Sequence, residues 1–531
     1  MSCSIDGGGR GRGGRGGDGQ GSGDGPAAGG GESPARTPAL GRVVPAPSSV
    51  EPAAGVHTLT ADTAIRVGES DDARAVGEYL AGLLRPSTGH PLPVTSEDGA
   101  DGVRLRLDAA ESALGAEGYR LESSDASVTL TAREPAGLFH AVQTLRQLLP
   151  AAVEKDTAQP GPWTVPQGTI TDVPAYAYRG AMVDVARHFF TVEQIKRYVD
   201  QLALYKINKL HLHLTDDQGW RIAVDSWPKL TSVGAVTAVG GGSGGFYTKD
   251  DYREIVRYAA SRHLEVIPEI DFPGHTAAAL ASYPELNPEG ETSEIHTGVE
   301  VGFSSLTVGK DITYDFVDDV IREIAELTPG EYLHIGGDEA DATSQEDYAV
   351  FMEKAQAVVA KYGKTVVAWH QLAGARPAPG AVAQYWGYDD TSAAERAGVL
   401  GLVGQGVRLI LSPADRTYLD HKYTAEEELG LKWAGLVEVD RSYDWDPAAY
   451  LDGVPREAVL GVEAPVWTET LETTEQLEYM AFPRLLSTAE RGWSSGGEWD
   501  EFRLRLAGQA GRWEAMGITY YKSPTVPWDE V

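Results

Sequence analysis

From about residue 176 onward the chain repeats one pattern: a short apolar run, a polar loop, then apolar positions at helical spacing. The runs are YRGAMVDVAR (178–187), KLHLHLT (209–215), LEVIPEID (264–271), YLHIGG (332–337), KTVVAWH (364–370), AVAQYW (381–386), RLILSP (408–413) and AVLGVEAPVW (458–467). Near-continuous apolar runs of this length predict strands covered on both faces, as in a parallel sheet. Two of the intervening helices open with capping boxes, Thr191–Gln194 and Thr248–Asp251, the Asp being the weaker partner. Eight such strands alternating with helices predict an α/β fold, a (β/α)8 TIM barrel over residues 176–531. A doubly wound open sheet is the alternative. It should carry a glycine-rich dinucleotide loop after its first strand, and YRGAMVDVARHFF has none.

Upstream the pattern is mixed. VRLRLD (103–108) alternates as a strand, and GYRLESSDASVTLTA (118–132) reads as two strands around a Ser-Ser-Asp turn. GLFHAVQTLRQLLP (137–150) sets Leu138, Val142, Leu145 and Leu149 on one helical face and stops at Pro150. Residues 51–175 are therefore expected to form a small non-catalytic α+β domain. Residues 1–50, glycine runs followed by Ala, Pro and Ser, carry too little apolar surface to fold and are expected to be a disordered tail. Within it GRGRGGRGG (9–17) resembles an RNA-binding RGG segment. A single short copy without aromatics reads better as plain linker.

Charge narrows the partners. The net charge is −33, and the tail's five Arg against four acidic residues leave the acid in the folded part. Such a body repels phosphate backbones, so no nucleic-acid partner is expected. No apolar run is long enough to span a bilayer. The single cysteine, Cys3, rules out an internal disulfide and a thiolate cage. No apolar h-region precedes a cleavage site, which predicts a cytoplasmic enzyme, or a secreted one if the start is mis-assigned or another export route is used.

In a barrel the chemistry sits at the C-terminal ends of the strands. Polar and aromatic residues collect there: Asp184 and Arg187; Asp216 and Asp217; Glu269, Asp271 and His275; Asp338 and Glu339; Trp369 and His370; Trp386; Tyr418 and Asp420; Trp467 and Glu469. Any one could be a helix cap or a core residue, but clusters at every predicted strand end favour a site. Carboxylates with tryptophans suit a sugar, whose C–H faces pack on rings and whose hydroxyls bond acids and Arg. Glycoside hydrolysis needs one carboxyl held protonated, and burial beside a second carboxylate raises a carboxyl pKa. Asp338–Glu339 supplies such a pair. On a regular strand the two would face opposite sides, so both reach one site only if the backbone turns there, which Gly336 and Gly337 permit. A rival reading uses His211 and His213 as metal ligands in an amidohydrolase barrel. That leaves Trp369, Trp386, Trp433 and Trp467 without work, and hydrogen-bonded barrel interior is preferred for both histidines. A non-catalytic sugar-binding barrel is the third reading, and the intact Asp-Glu pair argues against it.

The motifs GAMVDVARHF (180–189), KLHLHLTDDQGWRI (209–222), VIPEIDFPGH (266–275), HIGGDEA (334–340), YLD (418–420), VEAPVWTETL (462–471) and MAFPRLLSTAERGW (480–493) closely resemble the β-N-acetylhexosaminidases of glycoside hydrolase family 20, especially the bacterial two-domain forms. The resemblance runs from about 51 to 515. It implies retaining, substrate-assisted, exo-acting hydrolysis of N-acetylhexosaminides, chito-oligomers or glycans, with no cofactor and no metal. It implies Glu339 as acid and base, Asp338 holding the acetamido N–H, and Tyr418 donating to the acetamido carbonyl. Trp369, Trp386 and Trp467 would wall the acetamido pocket. Arg187, Asp420, Trp433 and Glu469 would hold the sugar ring, and Asp216 with His275 would support the acid. The absence of body cysteines and of a visible signal peptide departs from many relatives.

Overall fold

The structure, a computed structural model, describes residues 39–529. The GRGRGGRGG piece lies outside the described residues. The described chain is ordered earlier than the sequence suggests. Leu40, Val43 and Val44 are buried, and Val44 N–H donates to Gln147 Oε1 at 2.9 Å. These apolar side chains tie residues 39–50, expected to belong to the tail, into the fold.

The first domain is a seven-stranded sheet in the spatial order Ser49–Leu59, Trp163–Asp172, Tyr119–Ser123, Ser127–Ala132, Gly102–Leu107, Ile65–Arg66 and Val94–Thr95. Helices Asp71–Thr88 and Pro135–Leu148 accompany it. The expected strands and helix occur within two residues of their predicted bounds. Helix Asp71–Thr88 and four strands, Ser49–Leu59, Ile65–Arg66, Val94–Thr95 and Trp163–Asp172, were not anticipated. SVEPAAGVHTL carries Pro, Gly and a mostly exposed face, so it has no period-2 signature.

Eight parallel strands then close a barrel: β1 (Tyr178–Asp184), β2 (Lys209–His213), β3 (Glu265–Glu269), β4 (Tyr332–His334), β5 (Thr365–Trp369), β6 (Val382–Tyr385), β7 (Arg408–Leu411) and β8 (Val459–Val466). Strand β8 pairs with β1, from Gly461 opposite Tyr178 to Val466 opposite Val183, which closes the ring and excludes the open sheet. Both capping boxes form, at Thr191–Gln194 and Thr248–Asp251. The barrel floor is apolar, packed by Ile267, Val367, Val382, Ile410 and Leu460 with Tyr178 and Tyr332. Higher in the barrel the interior becomes charged.

Candidate active site

Strand β4 stops at His334, and the backbone then turns. Gly336, Gly337 and Glu339 have φ of 63°, 98° and 44°. A Cβ at 336 would lie 1.6 Å from Asp271 Oδ1, and one at 337 would lie 2.7 Å from Met352 Cε, so both positions need glycine. Left-handed backbone at Glu339 is strained for a residue with a side chain and must be held by its surroundings. Trp369 N–H donates to Gly336 O at 2.9 Å, Tyr348 Oη donates to Gly337 O at 2.7 Å, and Gly337 N–H donates to Asp271 Oδ1 at 3.0 Å. This turn brings consecutive Asp338 and Glu339 to the wall of one cavity.

The cavity holds about 570 Å³. Asp338, Glu339, Tyr418, Arg187, Asp216, His275, Trp386, Asp420, Trp433, Trp467 and Glu469 all line it. Trp369 does not. It is wholly buried behind the wall, 5.9 Å from Trp467 and 4.9 Å from His334 between ring centroids. The expected tryptophan wall therefore consists of Trp386, Trp433 and Trp467, with Trp369 as backing. Strand β5 turns its last side chain inward one layer below the cavity. Trp433 stands at the rim, 46% exposed, with Trp386 and Tyr418 each 5.8 Å away in edge-on contact.

His275 joins the two acids. Its Nε2 is 3.4 Å from Glu339 Oε2 and 3.8 Å from Asp338 Oδ2, while Nδ1 is 3.1 Å from Asp216 Oδ1. Asp216 Oδ2 pairs with Arg187 Nη2 at 2.9 Å and with His213 Nε2 at 2.8 Å. Burial would raise Asp216, but Arg187 and His275 outweigh it and hold the carboxylate well below its usual range.

Burial lifts Asp338 to about 6, against the pull of His275 and with the help of the Glu339 charge. Burial and the Asp338 charge lift Asp271 well above the usual range. Asp338 and its hydrogen-bond partner Asp271 are therefore the two carboxyls that burial holds toward the protonated form. Glu339 keeps 35% of its side chain exposed and lines the cavity. Asp271, at a strand end with no role expected from sequence, accepts from Gly337 N–H and meets Asp338. Its signal was the i, i+4 spacing to His275 in DFPGH. On the far wall, burial and then the charges of Asp420 and Asp184 lift Glu469 to about 7 against Arg187.

The metal reading is not favoured. His211 spans Glu463 at 2.9 Å and Glu269 at 3.0 Å, and His213 spans Glu269 and Asp216, so carboxylates take both nitrogens of each ring. His211 and His213 are hydrogen-bonded barrel interior.

The family model of the glycosyl hydrolase family 20 catalytic domain matches residues 176–496, and that of domain 2 of the same family matches residues 41–173. A β-N-acetylhexosaminidase of Cellulomonas fimi is 44% identical over 92% of this chain and 97% of its own. The GH20 β-N-acetylhexosaminidase structure from Streptomyces coelicolor A3(2) is 65% identical, with a TM-score of 0.91 over 93% of this chain and 99% of that one. A mutant Streptomyces plicatus β-hexosaminidase in complex with product, GlcNAc, is 63% identical with the same TM-score, 0.91, over 93% of this chain and 99% of that one.

Proposed function

The chain belongs to glycoside hydrolase family 20, as a β-N-acetylhexosaminidase, and from that membership we propose that it removes terminal, non-reducing β-linked N-acetylglucosamine or N-acetylgalactosamine with retention. The observation that carries this reading is the convergence of Asp338 and Glu339 on one cavity through the Gly336–Glu339 turn. The substrate's acetamido carbonyl oxygen attacks C1 as the C1–O bond to the leaving group breaks, and Glu339 gives that oxygen its proton. The product of this step is an oxazolinium ion, the substrate-assisted exception to the two-carboxylate scheme. Water then adds to C1, Glu339 takes its proton, and the ring opens to the free sugar with the starting anomeric configuration.

Asp338, once ionised, accepts the acetamido N–H and offsets the developing positive charge. Tyr418 Oη donates to the acetamido oxygen. Trp386 and Trp467 pack on the methyl group and the sugar face. Arg187, Asp420 and Glu469 bind the outer hydroxyls. Among the described residues Glu469 Oε2 is buried with no hydrogen-bond donor, and Asp420 Oδ2 has only His421 Nδ1 at 3.5 Å, which supports a hydroxyl-rich ligand there and an exo-acting pocket. Chito-oligomers and glycans ending in N-acetylhexosamine are the substrate class.

Glu339→Gln should abolish hydrolysis of an aryl β-N-acetylglucosaminide, and Asp338→Ala should cost several orders of magnitude. Near wild-type rates in either variant would sink the assignment. A thiazoline analogue of the cyclic intermediate should inhibit strongly. Equal turnover of the plain β-glucoside would instead point to an enzyme nucleophile.

A further inference from the structure

A line of alternating carboxylates and imidazoles runs through the barrel interior and ends on Glu339. Tyr178 Oη donates to Glu463 Oε2 at 2.6 Å, and Glu463 Oε1 lies 2.9 Å from His211 Nδ1. His211 Nε2 is 3.0 Å from Glu269 Oε2, which is 2.5 Å from His213 Nδ1. His213 Nε2 is 2.8 Å from Asp216 Oδ2, Asp216 Oδ1 is 3.1 Å from His275 Nδ1, and His275 Nε2 is 3.4 Å from Glu339 Oε2. All members before Glu339 are buried.

Chemistry constrains the protons on this line. A neutral imidazole has one donor and one acceptor nitrogen. Set between two carboxylates, it would turn its lone pair on theirs. His211, His213 and His275 therefore each carry two protons unless a flanking carboxyl holds one. Three imidazolium rings set against Glu463, Glu269 and Asp216 cancel in charge, which makes the line tolerable in a dry interior. Burial works against these cations, yet their carboxylate partners hold His211 up at about 9 and His213 and His275 well above the ordinary range.

We infer that His213 and Glu269 are positioning residues for the acid–base carboxylate, acting through Asp216 and His275 to fix the charge that faces Glu339. The inference rests on the assignment of Glu339 given above. The charged groups that face His213 are Glu269 from β3, Asp216 from its own loop and, farther off, Asp271; Trp467 meets the ring edge-on at 4.8 Å. Glu269 is faced by His211, His213 and, at 3.1 Å, His334, and Asp216 is faced by Arg187, His213, His275 and Asp217. His275 is faced by Asp216, Asp217, Asp271, Asp338 and Glu339.

The sign follows from order along the line. The His213 cation is nearer Glu339 than the Glu269 anion. Without that cation the field at Glu339 becomes more negative, and an acid in a more negative field keeps its proton to higher pH. His213→Gln should therefore move the basic limb of kcat/KM upward by about one pH unit. Glu269→Gln, which leaves His213 without the anion holding its second proton, should move it the same way by less.

The test uses the full chain and aryl β-N-acetylglucosaminides of graded leaving ability. Both variants should lose on the order of tenfold in kcat/KM with a phenyl leaving group, which needs the proton. They should lose little with a dinitrophenyl group, which does not. Profiles that superimpose on the wild type, or equal losses with every leaving group, would overturn the inference and leave the line a structural feature. Glu339→Gln, run alongside, separates the two claims. An active Glu339→Gln on the phenyl substrate removes the acid assignment itself, whereas an inactive one beside unshifted His213→Gln and Glu269→Gln removes only the line. Nitrogen-15 NMR of histidine-labelled wild-type enzyme needs no variant to fold. His213 should stay doubly protonated from about pH 5 to 8, and a neutral ring would refute the inference.

Discussion

Two buried charged regions of this molecule use the same residue types to opposite ends. Between the sheet domain and the barrel, Glu117 takes Arg179 Nη2 at 2.6 Å, Arg179 Nη1 at 3.1 Å and Asn208 Nδ2 at 3.1 Å. Nearby, Asp172 accepts from Trp493 Nε1 at 2.9 Å, Tyr119 Oη at 2.7 Å and Ser48 N–H at 3.0 Å, and Lys206 Nζ lies 3.4 Å away. Every carboxylate oxygen there has a donor from this chain. At the C-terminal end of the barrel, Glu469 Oε2 is buried with no hydrogen-bond donor among the described residues, and Asp420 Oδ2 has only His421 Nδ1 at 3.5 Å. A buried charge with all its lone pairs occupied serves the fold. A buried charge with a lone pair left over is costly on its own and becomes satisfied when a ligand arrives.

The most forceful way to break this comparison is to strip a partner from the satisfied region. Arg179→Met leaves Glu117, only 19% exposed, without its cation and should cost about 3 kcal/mol of stability. Denaturant unfolding measures the loss, and KM of the folded enzyme should stay unchanged. The converse change is Glu469→Gln. It should lower kcat/KM by about a hundredfold, since a charged acceptor for a sugar hydroxyl is lost. Its melting temperature should hold or rise, because an amide is cheaper to bury than a carboxylate; a large loss of stability would place Glu469 with Glu117 instead.

The pH dependence sharpens the contrast further. Burial lifts Asp338 from 3.8 to about 6. Because its folded value lies above the unfolded one, the associated stability is fully present below about pH 4 and is lost as pH rises through about 6. In the proposed mechanism activity runs the other way, since only the ionised carboxylate would accept the acetamido N–H. The acidic limb of kcat/KM should fall near pH 6, and Asp338→Asn should flatten the stability profile between pH 4 and 7. The smallest effect is expected at the rim. Trp433→Ala, at a half-exposed ring, should raise KM a few-fold and leave kcat nearly intact.

Much of the site was legible as position. Arg187, Asp216, His275, Tyr418 and Glu469 lie just beyond apolar runs, and a barrel sends every such position to one face. Depth was not legible. Trp369 ends β5 and Trp467 directly follows β8, but only the second reaches the cavity, because strand tilt and side-chain layering set height within the barrel. Pairing was not legible either. Asp271 meets Asp338 across two strands, and neither run of sequence names the other.

By itself the sequence determined the eight strands, their alternation with capped helices and the chemical identity of the residues at the strand ends, because these follow from local periodicity and composition. It also determined that glycines precede the acidic pair. Tertiary structure alone decided that the turn at Gly336–Glu339 would point consecutive acids into one cavity, since packing against Asp271, Met352 and Tyr348 holds that backbone in place. It also decided which buried carboxylates find donors within the chain and which keep an oxygen without one. That outcome depends on contacts between residues such as Glu463 and His211, far apart in sequence, and only the closed barrel brings them together.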